Sequence, residues 1–399
     1  MTRIGVLGGA ARARVLSDGT VQPERAGWQL TWWIGADDRW RVPLRETTVR
    51  QRLDGGVPVV RTALRVPSGD AVVRAYSVPD AGGTIVLDVS NESAAPFVLA
   101  LVVQHARRVE LRDDLVVVDQ RPGIVLTRAP SRWAVATARS TDVEVCGGAA
   151  REGPFPPTRD RAGRIEAAFL LPVPHRVTVR TAIDPTTREP VDPRTLPAPD
   201  DVVRGWTAQL ERGMRVELPD DRLTEAVRAA RAQLLLAASD GRPSGEVVAA
   251  LEDWGFDAEA AEAWRGLSGR ERRRAARRAL PAPGHVVGDL VERATAPGRI
   301  DAVGPALLLA VRSLLVAETD HSTVTVLHEV PASWRGQPIE VHDAPTRAGP
   351  VSYAVRWHGA RPALLWSAPD GVRLRAPGLD PEWVSDASEG EVLLAGSVA

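Results

Sequence analysis

The stretch ELPDDRLTEAVRAARAQLLLA, residues 217–237, decides how the chain is read. Leu223, Ala226, Val227, Ala230, Leu234 and Ala237 recur at the spacing of one helical face. Asp220 or Asp221 stands where an N-cap accepts from the first free N–H groups. Upstream the period is two. Short apolar runs at 57–66, 84–89, 97–103, 114–118 and 176–183 are separated by turn residues, which is all-β spacing. In 84–89, Ile85, Leu87 and Val89 alternate with Val86 and Asp88, predicting a half-buried strand. The run FVLALVVQH from Phe97 predicts a central strand covered on both faces. Asp54-Gly55-Gly56 and Pro79-Asp80-Ala81-Gly82-Gly83 supply the positive φ that reversals need.

Downstream, helical spacing continues near 245–253, 258–267, 269–279, 286–294 and 305–318, with one more helix before Met214. After Asp320 the period returns to two: in VSYAVRWHG, Val351, Tyr353, Val355 and Trp357 point one way and Ser352, Ala354, Arg356 and His358 the other. Between the two β regions, 184–201 is rich in Pro, Thr, Arg and Asp, and proline neither donates to a ladder nor continues a helix. The expectation is a multi-domain α+β protein: an N-terminal antiparallel β-sandwich (1–183), a Pro-rich linker (184–201), a helical domain (202–319) and a C-terminal β-module packed on the helices (320–399).

A chain of 399 residues exceeds what one core usually organises. Its 50 basic and 51 acidic residues cancel to a formal charge of -1, so no global field draws it to nucleic acid or anionic lipid. Every basic side chain apart from histidine is an arginine, and Asn91 is the only asparagine. Cys146 is the only cysteine, which excludes an internal disulfide and a multi-thiolate metal site. The opening MTRIGVLGGAARARVLSDGT breaks each apolar run before a signal core or membrane span could form, so cytoplasmic placement is the expectation.

Three stretches carry a resemblance: residues 217–237 quoted above; VVAALEDWGFDAEAAEAWRGL at 247–267; and LLVAE, VPASWRGQPIEVHDAPTRAGPVSYAVRWHG and RPALLW between Leu314 and Trp366. Together with the order sandwich, linker, helices, β-module, they resemble bacterial six-hairpin (α/α)6-barrel glycosidases, glucoamylase-like or glycogen-debranching-enzyme-like. The first stretch is similar to the first barrel helix, the second to a helical hairpin reversing through a Gly-aromatic turn, and the third to the barrel exit and C-terminal module. The resemblance implies a toroid of paired helices, but twelve helices of about 12 residues with connections take well over about 150 residues. Leu218 to Glu318 spans about 100 residues. The central segment is therefore expected to be a shortened (α/α) toroid, the chain a truncated or degenerate relative. The Arg-Asp subsite loop that follows the first helix in that family has no match in AASDGRPSGEVVAALEDWGF.

Glycoside hydrolysis ordinarily needs two carboxyl groups about 5–9 Å apart. Within the helical segment, the candidates for catalysis are Glu252 and Asp253, although adjacent residues point to different helix faces, and Asp257 and Glu259 stand where acids favour a helix N-terminus. The ligand-binding candidates are Asp253, Trp254, Trp264 and Asp301, with a helix cap as the plainer role of Asp301. Of 18 aromatics, 12 are Trp, and Trp28, Trp32, Trp33 and Trp40 crowd one stretch; indoles stack on sugars but more often fill cores. Arg265, Arg270, Arg272, Arg273, Arg274, Arg277 and Arg278 form a basic run that fits a solvated face, or a phosphate contact. His321, His328, His342 and His358 lie in or beside the last strands without metal-ligand spacing, and neither a cofactor nor a metal is expected.

The expected function is a non-catalytic protein on a glycoside-hydrolase scaffold that binds a carbohydrate or a partner enzyme. Two alternatives stand beside it: an active glycosidase, acting by two carboxylates on α-glucan or oligosaccharide, whose site another subunit completes; and an arginine-rich binder of an anionic partner or nucleic acid. Oligomerisation is left open, and no membrane partner is expected.

Overall fold

Period-two runs with β-branched residues build two large antiparallel sheets in the first part of the chain. In the computed structural model, the residues described are 1–37, 39–137, 141–184, 189–241, 243–275, 304–318, 320 and 322–395. They fall into two compact units, Met1–Gly205 and Trp206–Ala399. The architecture is mixed α+β, with the strands of the first unit antiparallel.

In the first unit, one sheet runs in the order Thr2–Ile4, Ala13–Val15, Val21–Pro23, Gln29–Gly35, Phe97–Ala106, Ile165–Val173, Arg132–Ala136, with Trp40–Arg41 also on Gln29–Gly35. Phe97–Ala106 sits between two neighbours and buries its apolar run 97–103 apart from Val98, which is half-buried, as that run predicts. On one face, Trp33, Ala100, Val102, Ala134, Ala168 and Leu170 form a cluster with Val145 from the short helix Asp142–Cys146. The alanines leave room for the Trp33 indole, so large and small side chains interlock.

The other sheet runs Thr158–Arg159, Arg108–Arg112, Leu115–Val118, Arg121–Leu126, Thr178–Ile183, Thr84–Asn91, Gly69–Val78, Val60–Val66, Arg50–Leu53. Here the structure corrects the half-buried expectation for 84–89, because Val86 and Asp88 are buried along with Ile85, Leu87 and Val89. Arg180 clamps Asp88 with two bonds of 2.8 Å and also donates to the Leu196 carbonyl at 2.9 Å. The Tyr76 hydroxyl reaches Asp88 at 3.1 Å and the Pro197 carbonyl at 3.2 Å. Within the segment expected as a Pro-rich linker, the Leu196 and Pro197 carbonyls are thus bonded to side chains of the sheet.

In the second unit, Asp220 caps the helix Asp221–Ala238, accepting from the amides of Arg222 and Leu223. That helix is buried on more than the expected stripe: Ala229, Arg231, Ala232, Leu235 and Leu236 are buried as well. It lies among Gly245–Asp253, Asp257–Gly266 and Gly304–Leu315, closing on Val248, Leu251, Trp254, Phe256, Leu307, Leu308 and Val311. The helix expected at 305–318 ends at Leu315; Val316–Glu318 instead pairs with Thr323–Val326, a β-branched run that offers a strand partner. The helix expected at 286–294 lies outside the described residues.

Two small sheets complete this unit. One orders Arg215–Glu217, Ile339–Ala344, Val351–His358, Arg361–Ser367 and Glu389–Leu393; the other orders Val316–Glu318, Thr323–Val326, Arg373–Ala376 and Asp380–Ser385. Strand Arg215–Glu217 lies between the helices Pro199–Leu210 and Asp221–Ala238 yet pairs with Ile339–Ala344, so helical segment and C-terminal module share one body. Arg312, buried in Gly304–Leu315, donates to the carbonyls of Asp253 at 3.2 Å and Pro345 at 2.5 Å and to that of Val316. Among the described residues no helix is long and apolar enough to cross a membrane.

Candidate functional site

The turn Trp254-Gly255-Phe256 joins two helices, and Gly255 takes φ 76°, a left-handed conformation that glycine adopts without strain. The Trp254 carbonyl accepts from the Met214 amide at 2.9 Å. A Cβ on Gly213 would lie 2.3 Å from that carbonyl oxygen, too close for any side chain. Gly213→Ala is expected to lower the stability of the second unit by about 1–2 kcal/mol through this clash. Urea unfolding of the variant against the wild type checks this, and an unchanged midpoint would refute the contact.

The sequence candidates separate around this turn. Trp254 is 0 % exposed, and its indole N–H donates to the Leu308 carbonyl at 3.0 Å. The Arg231 guanidinium lies 5.3 Å from its ring centroid and 5.4 Å from that of Phe256. The ring of this ligand-binding candidate is packed inside the protein, the commoner use of a large aromatic. Asp253 ends its helix half-buried, Glu252 is exposed, and Trp264 is half-buried on Asp257–Gly266. Glu259 is paired with Arg212 at 2.8 Å, and Asp257 starts its helix in the exposed position of a dipole-favoured acid. Asp301 lies outside the described residues.

A cavity of about 300 Å³ opens in the same unit, lined by residues that include Leu210, Arg215, Val227, Arg228, Arg231 and His342. Glu252, Asp253, Trp254 and Trp264 are not among its walls. In the basic run, Arg265, Arg270 and Arg272 are exposed, while the side chains of Arg273 and Arg274 and all of Arg277 and Arg278 lie outside what is described. His328 and His358 are exposed, and His342 bonds to Glu340 at 3.1 Å; His321 is outside the described residues. Among the described residues no group of His, Cys, Asp and Glu is arranged to hold a metal.

The first unit holds an arrangement that no motif announces. Gln29 pairs in register with Gln104, and Gln104 with Glu166, across three neighbouring strands. Gln22 Nε2 donates to Gln29 Oε1 at 2.7 Å, Gln29 Nε2 donates to Gln104 Oε1 at 2.8 Å, and Gln104 Nε2 donates to Glu166 Oε1. The other Glu166 oxygen accepts from the Thr141 amide at 2.5 Å. A carboxylate only accepts, so every amide in the row must point its N–H toward Glu166. The chain polarises in one direction, and such chains strengthen cooperatively.

Gln22 and Gln29 form part of the wall of a cavity of about 430 Å³, together with Arg14, Glu24, Trp28 and His105. Its one carboxylate is shared by two guanidiniums: Arg3 holds Glu24 with two bonds, at 2.7 and 2.8 Å, and Arg14 stands 3.8 Å from the same group. His105, at φ 65°, sits on the irregularity between Gln104 and Ala106, an extra residue that turns the strand at the cavity wall. The wall also carries the first two amides of the row beside the Trp28 indole, each with one N–H outside the row, Gln29 with one lone pair left on its oxygen and Gln22 with both: the chemistry that takes neutral hydroxyl groups. The signal in sequence was slight, three glutamines each in an apolar strand, and the register joining residues 29 and 104 cannot be read locally. No protein-family model matches this chain, and no curated protein matches it.

Proposed function

We propose that the protein is a non-catalytic carbohydrate-binding relative of six-hairpin glycosidases, with a shortened (α/α) toroid between two β-rich parts, and that it holds α-glucan chains on the first sheet. The observation that carries this is the polarised row Gln22, Gln29, Gln104, Glu166, whose first two members line the cavity with Trp28. Sugar hydroxyls both donate and accept, and amides held in one orientation recognise them without reorganising, which keeps the entropic cost of binding low. The hairpin Gly245–Asp253 and Asp257–Gly266 supports the scaffold reading as one surviving barrel repeat. The acids of that hairpin support the non-catalytic part, being adjacent, helix-starting or bound to arginine.

In native gels containing glycogen or amylopectin, the wild type is expected to be retarded. Gln29→Ala interrupts the row at its centre and should weaken that retardation by roughly tenfold, the effect of one or two lost hydrogen bonds. Equal retardation of both proteins, or none for the wild type, would refute the proposal.

A further inference from the structure

The helix Asp221–Ala238 brings Arg228 and Arg231 to the wall of the cavity of about 300 Å³, within a single unit of the fold. Arg231 is only 6 % exposed. Its Nη2 donates to the Leu210 carbonyl, while Nε is buried with no hydrogen-bond acceptor. The planar guanidinium rests against Trp254 and Phe256, contacts that favour a cation but supply no negative charge. Arg228 donates to Thr207 Oγ1 at 2.7 Å. Among the described residues neither arginine has a carboxylate partner, and Glu211 and Glu217, exposed at the cavity, form no ion pair with them.

Burying a guanidinium without a counter-charge is unfavourable, and a second one nearby adds repulsion. Burial first, and then the charge of Arg228, pull the Arg231 guanidinium down to about 10, so it stays protonated at neutral pH. Arg312 shows the contrast in the same unit: equally buried, it is bonded to backbone carbonyls of three different residues. Arg231 has donors left over, in a cavity open to small molecules.

We infer that this cavity is a binding site for a compact oxyanion, the phosphate or carboxylate group of a small metabolite, held between Arg228 and Arg231. The inference concerns the second unit and does not rest on the carbohydrate reading of the first. An anion here would complete the donor set of Arg231 and cancel the repulsion between the two arginines. Charge-assisted bonds to a fork of N–H groups are the strong class of hydrogen bond.

The test is calorimetric titration of the full chain with inorganic phosphate and, separately, with acetate, each at an ionic strength matched with chloride. Saturable binding of either anion is expected, and which one binds more tightly identifies the oxyanion. Arg231→Met and Arg228→Gln should each weaken it by roughly 10- to 100-fold. Arg228 is half-buried, so its variant keeps the fold and carries the test if Arg231→Met does not fold. Absence of saturable binding by both anions, or unchanged affinity in a folded variant, overturns the inference.

Discussion

Asp88→Ala is expected to destabilise the first unit by about 3 kcal/mol, the lower part of the range for breaking a buried ion pair from one side. Asp88 is 3 % exposed and both of its oxygens are held by Arg180 at 2.8 Å. Without it Arg180 keeps only the Leu196 carbonyl, and the Tyr76 hydroxyl keeps only the Pro197 carbonyl. The estimate sits low because the Arg180 side chain retains 20 % exposure and can recover some hydration. Tyr76→Phe, which removes one hydroxyl and no charge, should cost about 1 kcal/mol. Hydrogen exchange of the strand Thr84–Asn91 in urea reads both, and equal effects of the two variants would contradict the charge-centred account.

The same network gives an alkaline limit. Burial first, and then the neighbouring Asp88 charge, push the Tyr76 phenol well above its ordinary value. Above about pH 10 the unfolded phenol loses its proton while the folded one keeps it. The unfolded state then binds fewer protons, so stability falls as pH rises. Tyr353, raised by burial in the second unit, shifts in the same direction. Tyr76→Phe should remove the first unit's share of that alkaline loss.

Trp254→Ala should cost the second unit about 3–5 kcal/mol, the range for deleting a large aromatic from a packed core. The side chain is fully buried, and its loss removes the hydrogen bond that its indole N–H makes to the Leu308 carbonyl at 3.0 Å. It also removes one of the two rings against which Arg231 rests. Trp254→Phe keeps most of the volume and should recover more than half of the loss. Glycogen retardation by a folded Trp254→Phe protein should match the wild type. A large loss of glycan binding with little loss of stability would restore Trp254 as a ligand platform.

These two positions show what a local pattern carries and what it omits. Period-two runs located the strands Phe97–Ala106 and Thr178–Ile183 closely, and Asp220 marked the start of its helix, because each depends on residues adjacent in sequence. Burial of Asp88 was hidden because its partner Arg180, itself bonded to the Leu196 carbonyl, lies about ninety residues away in sequence. Trp254 looked available as part of a Gly-aromatic turn, yet Gly213 and Leu308, from both directions along the chain, close around that turn. Arg231 was legible in principle, being a charge four residues beyond Val227 on a buried face. The amide row was not, since its members meet only through the register of separate strands.

The central claim, glycan binding without hydrolysis, is tested most directly by incubating the full chain with maltoheptaose and measuring bound and released sugar together. Saturable binding that Gln29→Ala weakens, with no glucose or shorter product formed, is the expected result. Product formation abolished by Glu252→Gln or Asp253→Asn would contradict it.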